Sequence, residues 1–305
     1  MNSLNLREIY SNLSVKELSD KEKKEIKEIL LQMLEDIVKL CEDNNINYTL
    51  GGGTALGCIR HHGFIPWDDD IDINVYRMDY LKLLKLIDET FSDKYEINAP
   101  NYSLHPKNRF AKIYRKHTTY IQINDINNLN PNGVFIDIFP IEHVPNNKLL
   151  YLLHGILSTL LMFIASSVYG RKYEVQDIRL VIKKNNKYLY YFRNIIGVVF
   201  SFLQPEKWFC IVDKVNSLIK KSDYLSSPTG RKHYFGEKIL YSNYFPAVDG
   251  KFENLKVKLP NNYDVYLKNL FGDYLTIPKK EDRERHFIVN YQNQINFKEN
   301  SNDGK

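Results

Sequence analysis

The sequence predicts an α/β fold with a sheet at its centre. Three observations predict it: a long amphipathic helical stripe near the start, a series of short β-like runs between Ile46 and Phe139, and helical stretches interleaved with them. From Asp20 to Asn44, Ile26, Ile29, Leu30, Met33, Leu34, Ile37, Val38 and Cys41 recur at three- and four-residue spacing, one apolar stripe opposite a face of Lys and Glu. Ile46 to Leu50 reads as a strand entering Gly51-Gly52-Gly53-Thr54, and Ala55 to His62 as a short helix closed by Gly63. Pro66 bars a helix at that point, so Asp68 to Val75 is expected as a second strand. Asp79 to Phe91 is a helix with Leu81, Leu84, Ile87 and Phe91 inward. Ala111 to Arg115, Thr119 to Ile123 and Val134 to Phe139 alternate like strands, the last preceded by a turn-rich loop from Asn127 to Gly133. Tyr263 to Phe271 reads as a helix stopped by Gly272, and the polar end from about Lys298 as frayed.

Composition narrows the class. At 305 residues the chain holds about two domains of ordinary size, or one with a large insertion. With 43% hydrophobic and 26% charged residues and a mean hydropathy of -0.42, it is neither disordered, nor collagen-like, nor a polytopic membrane protein. A net charge of +5 is too mild to imply nucleic acid, and the acids at Asp68 to Asp72 argue against a uniformly positive groove. Cys41, Cys58 and Cys210 are too few and too scattered for a disulfide framework or a cysteine zinc site, and the first twenty residues lack the apolar run of a secretory signal. The expected location is cytoplasmic.

After Pro140 and Pro145 the character changes. Leu149 to Tyr169 contains no charged residue, Tyr188 to Leu203 contains only Arg193, and the basic loop Gly170 to Lys187 lies between them. The expected organisation is a catalytic core over 1–145, an apolar helical insertion over 146–234, and a C-terminal segment over 235–305 that completes the core. The first apolar run is long enough to span a bilayer, which needs about 20 residues. A two-span hairpin, however, would export the basic loop against the positive-inside tendency. Two readings stand level: a helical pair on the anionic inner face of the membrane, or two buried helices.

The informative chemistry lies in Pro66-Trp67-Asp68-Asp69-Asp70-Ile71-Asp72-Ile73. In a strand, Asp68, Asp70 and Asp72 would share one face, and three adjacent carboxylates must take up protons or coordinate a cation. Hard oxygen ligands suit Mg2+ or Mn2+. Asp137, flanked by apolar residues in Phe135-Ile136-Asp137-Ile138-Phe139, is poorly explained by solubility. Gly52-Gly53-Thr54 between a strand and a helix start suits close approach of a phosphate to backbone N–H groups. Arg60, Lys112 and Arg115 are candidate phosphate contacts, each with a structural alternative, whereas His61 and His62 are expected to be structural.

The run from Gly52 to Asp72, together with Phe135 to Pro140 and the softer set Tyr263, Leu267, Phe271-Gly272-Asp273-Tyr274, Pro278 and His286, resembles the LicD family. That family groups with fukutin-type proteins in the nucleotidyltransferase-fold superfamily. The resemblance spans roughly Tyr48 to His286 and is faint between about Asn146 and Tyr234. It implies a nucleotidyltransferase-type mixed sheet with a helical insertion, with Asp70, Asp72 and Asp137 as the acid set and Asp68 joining or supporting the metal. It implies transfer of a phospho-alcohol, best known as phosphocholine from CDP-choline, onto a glycan hydroxyl or its lipid-linked precursor; fukutin-type relatives move ribitol phosphate. In that scheme the donor diphosphate lies across Gly52-Gly53-Thr54, and Asp137 takes the acceptor proton. A nucleotidyltransferase attaching a nucleoside monophosphate, and a non-catalytic relative, remain as alternatives.

Overall fold

The computed structural model describes residues 16, 18–174, 179, 183–280, 283 and 288–295. The expected frayed end, most of the first twenty residues and part of the basic loop lie outside them. The helix α1 (Asp20–Asp43) opens on a capping box between Ser19 and Glu22, and its stripe is buried as the spacing predicts. It is followed by β1 (Tyr48–Leu50), α2 (Gly52–His61), β2 (Asp72–Tyr76), α3 (Arg77–Phe91), β3 (Tyr95–Asn98), β4 (Ala111–Arg115), β5 (Thr118–Gln122) and β6 (Phe135–Val144). The helical part comprises α4 (Lys148–Tyr173), α5 (Lys187–Val199) and α6 (Pro205–Asn216). Then come β7 (Tyr224–Ser226), α7 (His233–Gly236), β8 (Ile239–Leu240), α8 (Tyr241–Tyr244), β9 (Val248–Phe252), β10 (Leu255–Leu259), α9 (Tyr263–Phe271) and β11 (Ile288–Asn293).

The main sheet is mixed and runs β1-β2-β6-β4-β3, with β7 and β8 added beyond β6. Strands β2 and β6 are parallel; β1 against β2, β4 against β6 and β3 against β4 are antiparallel. The α/β expectation therefore holds, with β9–β10 and β5–β11 as separate two-stranded pairs. Strand β6 runs through Pro140 rather than ending there. Pro140 sits between the stretch paired with β4, which ends at Ile138, and the stretch paired with β7, which begins at Glu142. Its missing N–H falls at that changeover.

Three local expectations are corrected. The helix α2 begins at Gly52 rather than Ala55, because Gly51 is its cap and accepts the first helical bond from the Ala55 N–H at 2.8 Å. At its end His62, not Gly63, takes the left-handed position, with φ 58°. Residues 68–71 are not strand: the Asp68 N–H turns back to the Ile65 carbonyl, and only Asp72 joins the ladder. In α3 the inward residues are Tyr80, Leu83, Leu84 and Ile87, while Leu81 is exposed, since a period of 3.6 from Tyr80 skips it.

Two apolar cores form. The larger joins α1, α3 and the sheet; the smaller joins Met162, Ile164, Ala165 and Val168 of α4 to Trp208, Phe209 and Val212 of α6. They are tied by Arg77, at the start of α3, whose guanidinium pairs with Glu142 on β6 and with Asp213 on α6. Burial opposes that charge, but the two carboxylates outweigh it and hold the guanidinium more firmly protonated than usual. The first turns of α4 lean on α7: a Cβ at Gly155 would fall 2.4 Å from the Phe235 ring.

Candidate active site

One row of residues crosses the sheet. Asp72 on β2 is in register with Asp137 on β6, Asp137 with Lys112 on β4, and Lys112 with Asn98 on β3. In-register side chains share a face, and neighbouring strands lie about 4.8 Å apart, so the two carboxylates stand side by side. The Asp137 backbone is fixed by its N–H bond to the Ile71 carbonyl at 2.9 Å. Lys112 is buried rather than exposed at a strand end; its Nζ lies 3.1 Å from the Asp137 carboxylate and 3.4 Å from the centre of the Phe135 ring. The row is buried at Asp137 and Lys112 and part-exposed at Asp72.

The glycine turn closes on this row. The Gly51 N–H donates to the Asp72 carbonyl at 2.9 Å, and the Asp72 N–H donates to Thr54 Oγ1 at 2.8 Å. Gly52 has φ +40°, and a Cβ there would lie 2.4 Å from Asp72 Oδ2. At Gly53 it would lie 2.9 Å from Asp68 Oδ2, and at Gly51 2.8 Å from Asn74 Oδ1. The missing side chains thus make room for three polar groups, and Asp68 and Asp72 converge on the first turn of α2, where the helix dipole favours negative charge.

Beneath the turn lies a buried network that sequence reasoning missed. Asn74 Nδ2 donates to the hydroxyls of Tyr244 at 2.6 Å and Tyr266 at 3.0 Å, and the Gly52 N–H donates to Tyr266 at 3.0 Å. Burial pushes both phenols well above their usual range, so they stay neutral. The legible signal was an amide inside the apolar strand Ile73-Asn74-Val75; its partners lie 170 and 192 positions away. Glu237, whose charge is felt at both phenols, is pushed up to about 7 by burial and accepts the Lys232 N–H at 2.9 Å. Burial likewise lowers Lys107 to about 8 and raises Asp125, which faces Lys112 and Lys107.

Of the other candidates, Asp69 accepts from the Tyr120 hydroxyl at 2.7 Å, and Asp70 adds its charge at the same phenol. Arg60 Nη1 donates to the carbonyl of Tyr274 at 2.9 Å and Nε to His61 at 3.0 Å, so it braces the C-terminal segment. Arg115 donates to the Lys94 carbonyl at 3.2 Å. Among the described residues no three His, Cys, Asp or Glu side chains form a cage for an ion. A carboxylate pair at a glycine turn does suit magnesium, which keeps one or two protein carboxylates and takes substrate phosphate oxygens for the rest.

Residues 45–152 match the family model described as LicD/FKTN/FKRP, nucleotidyltransferase domain. That span contains the glycine turn, Asp68, Asp72, Lys112 and Asp137 and leaves out Tyr244 and Tyr266. The chain is 29% identical over 263 residues, 85% of its length and 94% of the relative's, to the lipopolysaccharide cholinephosphotransferase LicD of Haemophilus influenzae. It is 42% identical to the human ribitol 5-phosphate transferase FKRP over 43 residues, which is 14% of this chain and 9% of that one.

Proposed function

We propose that the chain is a transferase of the LicD family, whose model residues 45–152 match, and that it moves phosphocholine from CDP-choline onto a hydroxyl of a cell-surface glycan or its lipid-linked precursor. The observation that carries this reading is the in-register pair of Asp72 and Asp137 beside the glycine turn. The likeness to the cholinephosphotransferase covers nearly the whole of that relative and favours choline as the alcohol.

Asp72 and Asp137 would hold Mg2+ or Mn2+, which when bound supplies positive charge against the diphosphate oxygens and the departing nucleotide. The N–H groups of Gly53 and Thr54, in a first helical turn with no carbonyl partners of its own, face the donor diphosphate. Asp137 takes the proton of the acceptor hydroxyl as the new O–P bond forms and the P–O bond to cytidine monophosphate breaks. The Lys112 ammonium keeps that carboxylate oriented and offsets charge building on the transferred phosphoryl group.

The test is a panel of CDP-linked alcohols with and without magnesium, reading cytidine monophosphate and pyrophosphate separately. Metal-dependent, acceptor-stimulated release of cytidine monophosphate is expected, fastest with choline. Release of pyrophosphate would instead assign nucleotidyl transfer, and binding of no CDP-linked alcohol would assign a non-catalytic relative; either outcome overturns the reading.

A further inference from the structure

Helices α4 and α5 each expose a wholly apolar stripe. On α4 it is Leu149, Leu153, Ile156 and Leu160; on α5 it is Tyr188, Phe192, Ile195 and Val199, all more than 40% exposed. The spacing of four, three and four is the same on both helices and keeps each stripe on one side of its helix. They are joined where Phe163 stacks on Phe192, with ring centres 5.5 Å apart. Arg193, the charge that interrupts the second apolar run, is withdrawn from the surface: it pairs with Glu174 at 3.6 Å and donates to the Ser166 carbonyl at 3.5 Å. An apolar surface of this extent on a globular body marks an interaction site.

Charge identifies the occupant. Residues 148–203 hold eight basic and two acidic side chains, a net +6, while the whole chain carries +5. The rest of the molecule is therefore close to neutral, and the excess of base surrounds the apolar stripes. Exposed Lys148 stands at the start of α4, exposed Lys187 at the start of α5, and exposed Lys183 and Lys184 just before it. A second copy of the chain would bring +6 against +6. An anionic lipid surface matches both features, with acyl chains for the stripes and headgroup charge for the lysines.

The mode of contact also follows. The helix α4 is the one described helix long and apolar enough to cross a membrane, with a window of mean hydropathy 1.9, but a third of that window is buried in the protein. Ser158 Oγ donates to Asn216 at 2.6 Å, and Met162, Ala165 and Val168 pack against α6, so the helix is fastened along its length. At 13 residues α5 is about 20 Å long, too short for a hydrocarbon core of about 30 Å. We propose that α4 and α5 form a monotopic docking surface that lies in one leaflet of an anionic membrane without spanning it. This inference does not depend on the reading of the active site.

The test floats the intact protein on vesicles of phosphatidylglycerol and phosphatidylethanolamine, and on phosphatidylcholine alone, at low and high salt. The parent should float on the anionic vesicles, more weakly at high salt, and bind neutral vesicles at least tenfold less. The double variant Ile156→Glu, Ile195→Glu should lose at least tenfold in partition while keeping its thermal unfolding curve and its CDP-alcohol binding. Failure of the parent to float on anionic vesicles at low salt overturns the proposal, as does undiminished floating by the variant. Light scattering that finds a lipid-free dimer broken by the same variant would reassign the face to self-association.

Discussion

Strands β2, β6 and β4 carry Asp72, Asp137 and Lys112 on one face, the last two buried, whereas α4 and α5 carry leucines and aromatics on a face open to water. Each region inverts the usual arrangement of charge outside and apolar groups inside. Places where a chain breaks a local rule tend to be functional, because something outside the chain completes them. On the readings proposed above, the partner of the sheet would be polyvalent and charged, and that of the helices apolar with anionic edges. The core between them largely obeys the rule, and Arg77 is an exception satisfied from within by Glu142 and Asp213.

Substitutions can break or sharpen this contrast. The largest effect is expected for Asp72→Asn or Asp137→Asn, which should lower metal-dependent transfer by about 10³–10⁵-fold, or about 4–7 kcal/mol of barrier, with unfolding temperature unchanged or raised. Near-parent turnover in either would remove the sheet from the comparison. Next is Arg77→Met, which leaves two buried carboxylates facing each other and should cost about 3–5 kcal/mol in urea unfolding. A smaller loss would show the two cores to be tied mainly by packing.

Glu237 gives a pH signature. Its folded pKa of about 7 lies above the usual 4.5, so its contribution to stability is complete below 4.5 and is lost as pH rises through 7. The fall should total on the order of 3 kcal/mol and should flatten in Glu237→Gln, measured by denaturant titration from pH 4.5 to 8. Gly52→Ala should cost about 1–3 kcal/mol of stability and roughly tenfold in transfer, since the new methyl meets Asp72 at a positive φ. The smallest effect is expected on the open face: Leu153→Ser should change stability by less than about 0.5 kcal/mol, the value for a side chain more than half exposed in the free protein. A larger loss would mean that the stripe is already covered.

What was legible in the sequence was local. Helix α1 followed from its own stripe, the glycine turn from its position between strand and helix, and Asp137 from its apolar neighbours. The strand expected over Asp68 to Val75 began late because the Asp68 N–H closes a turn onto the Ile65 carbonyl, a bond that alternation does not register. Lys112 looked like a surface residue because only the register of β4 against β6 places it beside Asp137. Tyr244 and Tyr266 were invisible for a stronger reason: their hydroxyls gain meaning only from Asn74 and Gly52, which folding brings in from the other end of the chain.

The Arg77 bridge has a mechanical consequence. Arg77 directly follows β2, five residues beyond Asp72, and its second arm grips Asp213 on α6, the helix against which α4 packs. The strand that carries Asp72 and the layer that holds α4 are thus bolted to one guanidinium. A membrane that captured α4 would set the height and tilt at which Asp72 is held above it, and reach toward a lipid-linked acceptor, if the proposed function holds, would become a fixed dimension of the fold. Loosening that bolt would leave the chemistry intact and spoil the aim.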